Sequence, residues 1–91
     1  MKVKEGFILR KVLDKYIVVP YGLQAKEKPS MLTLTDSAAM LWSAMEKDVS
    51  VEELVQLLSQ AFPEIPENTL KNDTLLFIDR LKTENYLTIE N

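Results

Sequence analysis

Residues 31–42 read "MLTLTDSAAMLW", and the spacing of their apolar residues changes partway along. Met31-Leu32-Thr33-Leu34 alternates like a strand, whereas Ala38, Ala39, Leu41, Trp42 and then Met45 recur like one face of a helix. Thr35 and Asp36 stand between the two patterns, and either can cap a helix start. The stretch therefore predicts a strand that passes into a helix with no loop. Successive strand side chains point to opposite faces, so Leu32 and Leu34 are expected to face the core and Met31 and Thr33 the other way.

Upstream, Phe7 to Val12 ("FILRKV") and Tyr16 to Val19 ("YIVV") are β-branched or aromatic runs separated by Leu13-Asp14-Lys15. That spacing predicts an antiparallel hairpin. The polar stretch "YGLQAKEKPS" (21–30) carries Gly22 and Pro29 and reads as a flexible loop returning the chain to the third strand. If the three strands form a meander, the third is an edge with backbone N–H and C=O groups free to pair.

Downstream, three helices are predicted. The first runs from the Thr35/Asp36 cap to about Glu46, and Ser50 with Glu53 three residues later forms a capping box that opens a second, Val51 to about Phe62. "PEIPEN" (63–68) interrupts the chain, and Pro66 or Glu67 starts a third helix to about Glu84, followed by "NYL" and the tail "TIEN". On the third helix, Leu70, Thr74, Phe77, Ile78 and Leu81 share one side. Leu76 falls on a flank with Asp73 and Arg80, and Leu75 falls with the lysines.

Ninety-one residues suffice for one domain, 1–91, with one modest core. A hydrophobic share of 46% and a charged share of 27% are those of a globular chain, which sets aside disordered and fibrous classes. No segment reaches the roughly 18 uncharged apolar residues of a spanning helix, and "MKVKEGFILR" lacks an apolar run of signal-peptide length. With no cysteine in the chain, a cytosolic, non-membrane protein is the expectation. Residues 1–47 carry eight Lys/Arg against five Asp/Glu, or +3, and residues 48–91 carry three against nine, or −6, summing to the net −3. Such a split gives a dipolar surface able to orient a charged partner.

The chemical inventory argues against catalysis. Without histidine or cysteine, nucleophile–base arrangements built on them and the usual zinc sites are excluded, so neither a metal nor another cofactor is expected. Glu52 and Glu53 point about 100° apart on a helix, which is wrong for a shared acid/base site. The two glycines lie in no phosphate-cradling context.

Taken together, "KEGFILRKV", "YIVVPYG", "MLTLTDSAAMLWSAME", "SVEELVQLLSQAF" and "NDTLLFIDRLKTENYL" resemble the PqqD-like family across almost the whole chain. "LTDSAAMLW" is similar to that family's L-N-x-T-[AG]-x-x-[IL]-W signature, and "DTLLFIDRL" to its D-V-x-x-F-[IL]-x-x-L helix. Thr35 stands where the family more often has asparagine and Ser37 where it often has threonine; both carry a side-chain oxygen able to cap.

The resemblance implies an α+β, winged-helix-like fold of three antiparallel strands followed by three helices (βββααα). It implies a RiPP recognition element, a non-catalytic protein that binds the leader segment of a ribosomally made precursor peptide. The partner would be a modifying enzyme, often a radical SAM enzyme. The leader would join as an extra strand beside the third strand, facing the third helix. Met31, Leu32 and Thr33, with Asp73, Leu76, Phe77 and Arg80, are the candidate peptide-binding residues. A winged-helix DNA-binding protein is the alternative. The −6 balance from residue 48 on opposes it, because a recognition helix meets phosphates with Lys and Arg, so no nucleic-acid partner is expected.

Overall fold

The computed structural model describes residues 1–88, and its elements run β1 (Lys2–Val3), β2 (Phe7–Val12), β3 (Lys15–Pro20), α1 (Leu23–Glu27), β4 (Leu32–Leu34), α2 (Asp36–Ala44), α3 (Val51–Ala61), α4 (Glu67–Thr83) and β5 (Leu87–Thr88). A three-stranded antiparallel sheet, ordered β2-β3-β4, packs against helices, as expected. The βββααα order needs correcting in two places. A short helix, α1, interrupts the stretch expected to be a flexible loop, and β1 pairs antiparallel with β5 in a separate two-stranded ladder, Lys2 with Thr88 and Val3 with Leu87.

Both additions have physical reasons. Helix α1 has five residues and buries none of them, so it lacks the apolar stripe that marks a helix in sequence. Strands β1 and β5 have two residues each, too few to show a period, and they are held by long-range bonds: Val3 N–H to the Met45 carbonyl and Lys4 N–H to the Tyr86 carbonyl, both 2.8 Å. The Met1 ammonium adds contacts to Asp48 Oδ1 (2.6 Å) and to the Val49 carbonyl (2.9 Å). The hydrogen bond from this ammonium, aided by its charge, holds the Asp48 carboxyl below its ordinary range. "TIEN" lies mostly outside the described residues.

The β2–β3 turn is one residue tighter than expected. Val12 pairs with Lys15 across Leu13-Asp14 alone. Leu13 has φ +59°, the left-handed region where a branched side chain is strained, and its side chain stands 93% exposed.

The strand-to-helix passage forms as the apolar pattern dictates. Thr35 is the N-cap of α2, its Oγ1 accepting the Ala38 N–H at 3.2 Å, and Ser50 with Glu53 makes the reciprocal capping box of α3. Leu32, Leu34, Ala39, Leu41, Trp42 and Met45 are buried together with Leu54, Leu58, Leu70, Ile78 and Leu81. Trp42 stacks edge-on to Phe7 (6.2 Å between centroids) and to Tyr86 (5.7 Å), tying sheet, α2 and the C-terminal segment into one core. Each fully buried side chain of this size contributes about 1.5–3 kcal/mol. Thr74, also fully buried, satisfies its hydroxyl by donating to the Leu70 carbonyl at 2.7 Å. Among the described residues, no helix is long and apolar enough to cross a membrane.

Candidate functional site

The direction in which β4 presents its backbone follows from the hairpin. A β-turn bond links the carbonyl of its first residue to the N–H of its fourth, so Val12 and Lys15 form a bonded pair around Leu13-Asp14. Bonded and non-bonded pairs alternate along an antiparallel ladder. In β3, Lys15, Ile17 and Val19 therefore turn their backbone groups to β2, and Tyr16 and Val18 turn theirs to β4. The Tyr21 N–H, which donates to the Gly6 carbonyl at 2.8 Å, continues the same odd-numbered series. Across β3–β4, Tyr16 with Leu34 and Val18 with Leu32 are then the bonded pairs, while Ile17 with Thr33 is not. The N–H and C=O of Thr33 point out of the sheet. β4 has β3 on one side and no strand on the other among the described residues.

That open edge borders a groove of about 440 Å³. Thr33, Leu34 and Thr35 form one rim, Ala38, Leu41, Leu58, Phe62 and Ile65 contribute an apolar floor, and α4 forms the far wall with Leu70, Asp73, Leu76, Phe77 and Arg80. Leu34, Leu41, Leu58 and Leu70 are core residues whose edges reach the floor, whereas Ala38, Phe62, Ile65 and Phe77 are half-buried. No residue of 21–30 lines the groove. That segment lies elsewhere, with Gln24 against Gly6 and the Lys28 ammonium over the Tyr86 ring at 4.7 Å.

Of the residues expected from sequence, Thr33, Asp73, Leu76, Phe77 and Arg80 meet at this groove and two do not. Leu32 is buried in the core at 4% exposure, because the alternation that turns Thr33 outward turns its neighbour inward. Met31 precedes β4, is 65% exposed and lines no part of the groove. On α4, Leu70, Thr74, Ile78 and Leu81 are buried as the stripe requires, and Leu76 is 69% exposed on the groove flank; Phe77, read as part of the same stripe, is only half-buried because it borders the groove.

Phe62 and Ile65 were not anticipated. They sit at the end of α3 and in the turn before α4, where periodicity is silent. Apolar residues on either side of Pro63, within a turn, were the available signal.

The polar groups of the wall stand at its two ends. Asp73 is exposed. Arg80 donates from Nε to Glu84 Oε2 at 2.8 Å, a surface i,i+4 pair with side chains 52% and 40% exposed. Such pairs contribute about 0.3–0.5 kcal/mol, so this one is readily exchanged, and it engages one of the five N–H donors of the guanidinium. Among the described residues no cluster of three or more His, Cys, Asp or Glu is placed to hold a metal ion.

Residues 23–87 match the family described as "Coenzyme PQQ synthesis protein D (PqqD)". The chain belongs to the PqqD family. No curated protein matches this PqqD-family chain by sequence. Among solved structures it is similar to "TbiB1 in Complex with the TbiA(beta) Leader Peptide", at a TM-score of 0.79 and 16% identity, covering 100% of this chain and 99% of that one. At that identity the likeness shows a shared fold.

Proposed function

We propose that this PqqD-family chain captures the leader segment of a ribosomally made precursor peptide by strand addition at β4 and presents it to a modifying enzyme of the radical SAM class. The observation that carries the reading is the outward-facing backbone of Thr33 at the rim of an apolar groove walled by α4. An extended segment laid along β4 completes the unpaired edge and drops alternate side chains onto Phe62, Ile65 and Phe77.

Magnitudes indicate how the affinity divides. A backbone hydrogen bond contributes a net of about 0.5–1.5 kcal/mol, so the two at Thr33 set register and little else. One buried leucine-sized side chain contributes about 1.5–3 kcal/mol, which makes the floor the main source of binding energy. Family membership and the leader peptide bound to TbiB1 support the reading. The chain's lack of histidine and cysteine fits a role that leaves the chemistry to its partner in the cytoplasm.

The test is amide NMR with synthetic leader peptides. Expected are shifts at Thr33–Thr35, Phe62–Ile65 and Asp73–Arg80. Shifts confined to the exposed face of α3 would sink the assignment.

A further inference from the structure

Strand addition at an open edge is indifferent to direction, since parallel and antiparallel guests both find N–H and C=O partners. The groove wall is not. Asp73 and Arg80 are seven residues apart on α4, nearly two full turns, so they lie on almost the same azimuth and about 10.5 Å apart along the axis. Leu76 and Phe77 lie between them, and all four line the groove. The wall therefore reads acidic, apolar, basic along its length.

An extended guest places same-face side chains about 6.7 Å apart, so its positions i and i+4 span about 13 Å. The long arginine side chain takes up the difference between that span and the wall. Position i+2 then meets Leu76 and Phe77.

We infer that the groove selects a guest with opposite charges four positions apart and that their order sets the direction in which it lies. The preferred segment carries a Lys or Arg beside Asp73, a large apolar residue two positions on, and an Asp or Glu two positions further, beside Arg80. The incoming carboxylate takes up guanidinium donors that Glu84 leaves open, and charge order fixes the direction in which the strand lies. Reversing such a segment on the wall puts like charges together at both ends. This inference rests on the groove reading above.

The probe is an mRNA-displayed library of ten-residue segments in which threonine alternates with randomised positions, selected on four forms of the full chain. These are the wild type, Asp73→Asn with Arg80→Gln, the charge-swapped Asp73→Lys with Arg80→Glu and Glu84→Arg, and Thr33→Pro. On the wild type, opposite charges at same-face positions four apart should be enriched about tenfold over like charges. A spin label on the N-terminus of a selected segment should broaden amide signals near Asp73 when Lys comes first and near Arg80 when Glu comes first, and in the swapped form the two patterns should exchange. If the swapped form does not fold, the neutral pair serves instead and should retain the apolar enrichment while losing both the charge enrichment and the fixed direction. Apolar enrichment with no charge preference on the wild type, or a strand direction unchanged in the variants, overturns the inference and leaves the groove reading standing. Enrichment on the wild type no greater than on Thr33→Pro overturns the groove reading itself.

Discussion

Thr33 stands opposite Ile17 in a pair whose backbone groups do not bond each other, so the sheet is indifferent to the Thr33 N–H. Leu34, one residue on, is bonded to Tyr16. Proline at the two positions should therefore have different effects. Thr33→Pro should weaken peptide binding about two- to tenfold in calorimetry while shifting stability by under about 1.5 kcal/mol. Leu34→Pro removes a ladder bond and a core leucine and should cost about 3 kcal/mol or more. Equal destabilisation by both would show that the Thr33 N–H faces inward.

The strained hairpin leaves stability to be gained. Leu13 has φ +59° with its side chain in solvent, and a left-handed conformation costs an L-residue about 1–2 kcal/mol. Asparagine tolerates that region, so Leu13→Asn should raise the melting temperature by about 4–8 °C, the shift that about 1 kcal/mol produces in a domain of this size. An unchanged or lower melting temperature would show that the exposed leucine makes a stabilising contact.

Thr74 tests whether its buried hydroxyl matters. Its acceptor, the Leu70 carbonyl, lies within α4 and has a helical backbone partner as well. Thr74→Val keeps the volume and should change stability by under about 1 kcal/mol, whereas Thr74→Ala opens a cavity and should cost more than the valine. Urea denaturation of the two variants separates packing from hydrogen bonding.

Tyr86 sets an alkaline limit. Burial, with the Glu84 charge adding to it and Arg80 opposing, pushes its phenol above the ordinary value near 10. A raised folded-state pKa means that the unfolded chain gives up the proton first. The stabilisation is complete below about pH 10 and is lost as pH rises through the folded pKa. Melting temperature should therefore decline from about pH 10 upward. Tyr86→Phe should flatten that decline, and a decline of equal slope in the variant would assign it to other groups.

The legible parts of this molecule were those with a long enough period. The β4–α2 junction, the Ser50 capping box and the buried stripe of α4 could each be read locally, because burial imposes its repeat on the residues. The β1–β5 ladder could not, since two-residue strands meeting across the length of the chain leave no repeat to detect. The groove's place between β4 and α4 came from the family resemblance, and of the residues named with it Thr33, Asp73, Leu76, Phe77 and Arg80 line it. The groove was illegible at Phe62 and Ile65, which a turn delivers to the floor. Leu32 shows how close the two outcomes lie, since one residue's step along β4 separates the core from the open edge.

The loopless passage from β4 into α2 has a mechanical consequence. Tension along a segment docked at Thr33 would load its backbone bonds in shear and pass through the N-cap Thr35 directly into Leu41 and Trp42, with no slack chain to absorb it. The edge is thus a rail anchored in the core, and a strand added there under the proposed function would be held in fixed register.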